Sequence, residues 1–189
     1  MDKLISKKTK IMKKIITIAG SNSQNSINKA LLTYTASLLE NVEIITIDLN
    51  NYVLPIYGVD FETENGIPPA VKKLDRIFDT ADGFMISLAE HNGSYAAVFK
   101  NTIDWLSRSN MKVWREKPMF LMATSPGGRG GATVLESARG YFPFMGASVT
   151  DTFSLPSFYD YFIDGKITDE NLKEDIRSKL NRFKATIQS

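Results

Sequence analysis

Three short segments carry most of the residues whose types could hold a ligand. The first, Gly20-Ser-Asn-Ser-Gln-Asn-Ser-Ile-Asn28, closes an apolar, β-branched run and opens a helical pattern. A tight turn at a helix start leaves backbone N–H groups unpaired at the positive end of the helix dipole, which favours an anion such as a phosphate. Ser21, Ser23 and Ser26 add hydroxyl donors without bulk, and Ile27 and Asn28 complete the turn. The same residues also suit an ordinary polar strand-to-helix turn with a serine cap. No Gly-Lys-Ser/Thr ending follows, so a Walker loop is excluded, and the one glycine cannot make the dinucleotide fingerprint.

The second segment, Glu90-His91-Asn92-Gly93-Ser94, offers a ring, an amide and backbone open to close approach. In the third, Ser125-Pro126-Gly127-Gly128-Arg129-Gly130-Gly131, four of seven residues are glycine. That much glycine costs folding entropy, and a flat ligand within van der Waals reach of the backbone is a reason to keep it. A flexible connector is the alternative; the position beside the other two segments favours the ligand. His91 is the only histidine and cysteine is absent, so no transition-metal site is expected. A solvent-facing imidazole is the plain alternative to a role for His91 beside a bound ring.

The elements that must position these segments follow from periodicity. Residues 14–19 form a short apolar run typical of a strand buried on both faces, and residues 42–49, 83–88 and 118–124 read as three further strands. A weaker strand spans 147–153. Helices are predicted from an N-cap at Ser26 to a stop at Asn41, from Pro68-Pro69 to Ala81, over 95–107, over 132–141, and after Thr168-Asp-Glu at the chain's end. Residues 50–66 have turn formers and no period, and read as a loop. Strands alternating with helices predict a doubly wound, five-stranded parallel sheet in a three-layer α/β/α sandwich. Its order is expected to be 2-1-3-4-5. In such a sheet ligands lie outside the carboxyl ends of the strands, where loops one, three and four converge.

Composition bounds the rest. With 189 residues, 43% of them hydrophobic, the chain has sequence for one core, read as a single domain over 13–189 behind a disordered extension at 1–12 whose first eleven residues are dispensable or a misplaced start. A net charge of +2 with 23% charged residues argues against nucleic acid as a partner. The apolar run at 15–19 is too short for a membrane span, and the lack of cysteine fits a reducing cytoplasm. Aromatic and methionine residues gather at 111–145 and 158–162, as core, as the substrate side of a ligand, or as a contact in a homodimer or homotetramer.

These segments resemble the NADPH-dependent FMN reductase family, flavodoxin-like quinone, chromate and azo-dye reductases. The family's first loop runs Gly-Ser-x-Arg-x-x-Ser-x-Asn; Gly20, Ser21, Ser26 and Asn28 stand in register and Ser23 replaces the arginine. Glu90 to Ser107 is similar to its Pro-Glu-Tyr-Asn-x-Ser stretch and Leu-Lys-Asn-x-x-Asp-Trp helix, with Ala89 for proline and His91 for tyrosine. The glycine loop is similar to the one that approaches the flavin.

The resemblance implies FMN held by Ser21, Ser23, Ser26, Ile27, Asn28, Glu90, His91, Asn92, Gly93, Ser125, Pro126, Gly127, Gly128 and Gly131. It implies NADPH or NADH as donor and a quinone, flavin, azo compound or metal oxyanion as acceptor, by a ping-pong mechanism. No protein group need be catalytic; His91 could tune the ring. The Lys100-Asn101-x-x-Asp104-Trp105 portion reads as structural, and Arg129 as solvated or as steering the donor's phosphate. The rivals are a non-catalytic flavodoxin-type carrier, disfavoured by the slightly basic charge, and a member with weakened flavin binding.

Overall fold

The computed structural model describes residues 12–188. The reading of residues 1–12 as an extension falls, apart from the exposed Met12, outside the described residues. In chain order the elements are β1 (Lys13–Gly20), α1 (Ile27–Ser37), β2 (Val42–Ile47), α2 (Val59–Asn65), α3 (Pro69–Phe78), β3 (Gly83–Leu88), β4 (Glu90–His91), β5 (Ser94–Tyr95), α4 (Ala97–Ser109), β6 (Lys117–Thr124), α5 (Ala132–Tyr141), β7 (Ala147–Leu155), α6 (Phe158–Tyr161), β8 (Phe162–Ile163), β9 (Lys166–Ile167) and α7 (Glu170–Gln188).

Five strands form one sheet in the order β2-β1-β3-β6-β7, every neighbouring pair parallel. With the two small hairpins β4-β5 and β8-β9 set aside, this is the 2-1-3-4-5 order of a flavodoxin-like fold. Alternate side chains of the central strands leave on opposite faces. Ile16, Ile18, Phe84, Ile86, Met119 and Leu121 pack with α3, α4 and α5, whereas Ile15, Met85, Phe120 and Met122 pack with α1 and α7. Burial on both sides explains why these strands read as unbroken apolar runs. On the first face Phe78, Phe84, Trp114 and Phe142 interlock with ring centroids 5.0–5.8 Å apart, each buried ring contributing about 1.5–3 kcal/mol.

The structure departs from the expected elements where a local cap or a non-core contact decides. β2 stops at Ile47 because the Asp48 carboxylate accepts from the Asn50 amide at 3.0 Å and caps a 3-10 turn over Leu49–Asn51. α1 ends at Ser37, and Asn41, expected to stop it, instead takes positive φ (60°) just before β2. The segment expected to be a loop contains α2, which buries no residue and so has no apolar period to betray it. α2 is held by Glu62, which accepts from the Tyr57 hydroxyl at 3.2 Å and from Arg108 at 2.9 Å, and by Phe61, whose ring meets Trp105 at 6.0 Å. At the chain's end Asp169 accepts from the Leu172 amide at 2.9 Å and starts α7, the capping that Thr168-Asp-Glu predicts.

Candidate functional site

Parallel pairing brings the carboxyl ends of β1, β3 and β6 together: Gly20 lies opposite Leu88, and Leu88 opposite Ala123. The segments that leave these ends are the first, second and third of the sequence reading. A single buried side chain ties them. Asn28, only 3% exposed, accepts from the Ser87 hydroxyl at 2.9 Å and from the Thr124 amide at 3.0 Å. Its own amide donates to the Thr124 carbonyl at 3.2 Å. The start of α1 is thereby locked to the ends of β3 and β6. Ser87 and Thr124 were not among the expected site residues, although a serine inside the apolar run Gly-Phe-Met-Ile-Ser-Leu is itself the mark of a buried polar partner.

In the first segment Ser26 is the N-cap of α1, its hydroxyl accepting from the Lys29 amide at 3.1 Å. Ser21 accepts from the Ser23 amide at 3.1 Å. Ile27 is half-buried, Ser23 exposed. The first turn of α1 carries no acidic residue, so its positive end is not neutralised from within the helix. Lys29, the cation of this turn, is already paired with Asp48 at 2.8 Å. That hydrogen bond, followed by the Asn50 amide, holds the Asp48 carboxyl below its ordinary value.

The second segment is a hairpin rather than an irregular loop. Glu90 pairs with Tyr95 and His91 with Ser94, and the turn residues Asn92 and Gly93 both have positive φ, 52° and 76°, as a two-residue hairpin turn demands. His91, Asn92 and Gly93 are exposed. The Glu90 carboxylate does not face open solvent: it accepts from the Val134 amide at 2.9 Å. It thereby serves the amino end of α5, whose own N-cap, Gly131, has no side chain to do so. The hairpin is in this way tied to the helix that follows the third segment.

In that third segment the glycines divide. Gly130 and Gly131 hold positive φ, and a Cβ would lie 2.8 Å from the Leu155 carbonyl at one and 2.8 Å from the Ala123 Cβ at the other. They are needed by the fold. At Gly127 and Gly128 a Cβ would meet nothing within 4 Å, so that stretch of backbone is open to a ligand. Ser125 donates back to the Gly127 carbonyl at 3.2 Å, next to Pro126, and Arg129 is exposed with its guanidinium on the Thr133 hydroxyl at 2.8 Å.

Outside these segments, Asn101 accepts from the Tyr57 amide at 2.8 Å and donates to the Pro55 carbonyl at 3.0 Å, where the Trp105 indole also donates at 2.8 Å. The Asn-x-x-Asp-Trp portion therefore fastens the segment after β2. The aromatic cluster splits: Trp114, Phe142 and Met145 are core, while Met111, Tyr141 and Phe144 stay exposed along a groove of about 510 Å³ beside α4. Tyr95, which sequence reasoning passed over, lines the same groove and stacks on Phe142 at 5.9 Å. Its hydroxyl has no partner among the described residues, and burial, with a smaller contribution from Tyr141, pushes it up to about 12.

Among the described residues no three His, Cys, Asp or Glu gather to hold a metal, and no helix is long and apolar enough to cross a membrane. What the three segments can do is hold an anion at the start of α1 and a flat group over open glycine backbone.

A family model described as NADPH-dependent FMN reductase matches residues 13–160. The chain is 26% identical over 180 residues to a 2-hydroxy-1,4-benzoquinone reductase of Burkholderia sp., covering 93% of this chain and 96% of the relative. It is 28% identical over 185 residues to a quinone reductase of Escherichia coli strain K12, covering 92% and 95%. Among solved structures it matches FerB, a flavoenzyme NAD(P)H:(acceptor) oxidoreductase from Paracoccus denitrificans, with a TM-score of 0.76 at 23% identity over 94% of this chain and 98% of that one. It also matches a flavodoxin variant from Pseudomonas aeruginosa with a TM-score of 0.55 at 14% identity, over 93% and 99%.

Proposed function

The chain belongs to the NADPH-dependent FMN reductase family, oxidoreductases that work with FMN and a nicotinamide donor, and from that premise we propose how this member acts. Bound FMN would supply the redox chemistry, hydride transfer from NADPH or NADH and two-electron transfer to a small acceptor, in alternate half-reactions. A quinone is the first choice of acceptor, because the relatives at 26% and 28% identity are named quinone reductases; a flavin, an azo compound or a metal oxyanion is the next.

The observation that carries this reading is the Asn28 tie, which holds an anion-favouring turn beside the hairpin and the open glycine backbone. Ser21, Ser23, Ser26 and the amides of Ile27 and Asn28 hold the phosphate. Glu90, His91, Asn92 and Gly93 border the ring on one side, and Ser125, Pro126, Gly127, Gly128 and Gly131 on the other. Asn28 and Gly131 act by position: the Asn28 carboxamide already makes three hydrogen bonds within the chain, and Gly131 sets the path of the loop. His91, exposed on the hairpin, tunes the ring. No acid or base from the protein is required, since the protein's work is to bind, orient and leave one ring face open.

Residues 13–189 form the one FMN-binding domain, which works in the cytoplasm as a homodimer or homotetramer. The test is to titrate the purified protein with FMN, following flavin fluorescence and visible absorbance, and then to vary NADPH or NADH against a quinone. Saturable FMN uptake and parallel lines in double-reciprocal plots are expected. Failure to take up FMN, or no nicotinamide oxidation with any acceptor class, overturns the proposal.

A further inference from the structure

A second groove, of about 700 Å³, opens beside the first segment, within the range usual for small-molecule sites. One wall is Gln24, Asn25, Ser26 and the outer side of α1; the other is Phe158, Tyr159 and Phe162 of the excursion between β7 and α7. From this groove we infer a site for the adenosine end of the nicotinamide dinucleotide, an inference that rests on the donor proposed above.

Tyr159 is 65% exposed, and its ring has an aromatic neighbour. It stands edge-on to Phe158 at 5.4 Å; Phe158 stacks on Phe162 at 4.8 Å, and Phe162 takes the edge of Tyr34 at 5.8 Å. A large aromatic surface thus stands against an aromatic stack and is left uncovered, as a platform for stacking a base requires. Opposite it, the side chains of Gln24 and Asn25 are exposed and make no hydrogen bond with other described residues. A carboxamide presents one donor and one acceptor, the pair that matches the N6 and N7 edge of adenine.

Charge points the same way. Lys29, the cation lining the groove, is paired with Asp48 at 2.8 Å, so the groove suits a neutral base better than a phosphate. Its position joins it to the flavin site: the amides of Ser157 and Phe158 donate to the carbonyls of Gly127 and Ser125, both at 3.0 Å. The aromatic wall is fastened to the glycine loop, and the facing wall continues from the phosphate turn. A dinucleotide with its nicotinamide over the flavin would lead its other end here.

The experiment pairs Tyr159→Ala with Tyr159→Phe. FMN-loaded protein is titrated calorimetrically with ADP as the probe, and KM is measured for NADH, for NADPH and for reduced nicotinamide mononucleotide, which lacks the adenosine half. Tyr159→Ala should weaken ADP and raise KM for both dinucleotides about tenfold, the usual effect of losing one stacking ring. The mononucleotide KM, kcat and FMN affinity should stay unchanged, and Tyr159→Phe should behave as the parent. Unchanged ADP binding in Tyr159→Ala, or an equal rise in the mononucleotide KM, overturns the assignment. So does a change in oligomeric state without a change in ADP binding, which would give the groove to a second copy of the chain. If the protein takes up no FMN, the proposed function fails by itself; ADP titration of the flavin-free protein then decides the groove, a loss in Tyr159→Ala supporting it and no binding to the parent overturning it.

Discussion

Replacing Asn28 by alanine removes the tie between the start of α1 and the ends of β3 and β6. Three hydrogen bonds vanish, at 2.9, 3.0 and 3.2 Å. They leave the Ser87 hydroxyl and the Thr124 amide without their acceptor in a place where the two residues are 0% and 1% exposed. Water reaches neither unless the sheet end opens. A buried donor left unpaired costs about 1–3 kcal/mol, so two such donors predict a loss of about 3 kcal/mol. Urea unfolding followed by far-UV circular dichroism reads this as a lower midpoint at unchanged slope.

The start of α1 loses its lock to β3 and β6 in the same variant, so FMN affinity should fall with stability, by about tenfold or more. Asn28→Asp is the sharper control. It keeps both acceptor contacts, but it sets a buried carboxylate against the Thr124 carbonyl and should fare no better than alanine. A loss below about 1 kcal/mol in Asn28→Ala, with FMN affinity unchanged, refutes the reasoning, because a buried bidentate amide cannot then be what aligns the loops.

The glycines of the third segment should separate into two classes. Gly131→Ala, at a φ of 75° with its Cβ 2.8 Å from that of Ala123, should lose at least about 2 kcal/mol by urea unfolding. Gly127→Ala and Gly128→Ala, which meet nothing within 4 Å, should stay within about 0.5 kcal/mol of the parent and lose FMN affinity; equal stability loss at all three positions sinks the distinction. Ser23→Arg puts a cation at an exposed position of the first turn and should tighten FMN by about 1.5–3 kcal/mol, roughly ten- to hundredfold, in a fluorescence titration, with no tightening as the contrary result. Asp48 titrates below its ordinary 3.8 in the folded chain, chiefly through Lys29. A depressed carboxyl contributes stability that is complete above its unfolded value and is lost as the pH falls through the folded one. The stability gap between parent and Lys29→Met, measured from about pH 6 down to about pH 2, should therefore shrink only below the ordinary carboxylate value; a gap that stays constant speaks against the pair.

Much of the fold is legible in local pattern because the three central strands β1, β3 and β6 are buried on both faces. The bounds of β3 and α5 follow directly from the apolar run at 83–88 and the helical period at 132–141. α2 is hidden for the opposite reason: it buries nothing, and it is held by Tyr57 and Arg108 converging on Glu62. The hairpin at 90–95 had a local signal in Asn92-Gly93, but two-residue strands are too short to show an alternation.

For the candidate site, residue types and chain order were enough to mark the three segments and to say that they leave neighbouring strand ends, because alternating strands and helices admit few topologies. How the residues within them are held was decided by contacts between residues 8 to 96 positions apart. Glu90 turned out to serve the start of α5 across 44 positions, and Asn28 to reach Thr124 across 96. Gly130 and Gly131 belong to the fold because Leu155 and Ala123 crowd them, and Gly127 and Gly128 are open because nothing does. Local sequence sets which groups are available and how the nearby backbone runs; only the folded chain decides which hydrogen bonds are spent on holding it together and which surfaces remain for a ligand.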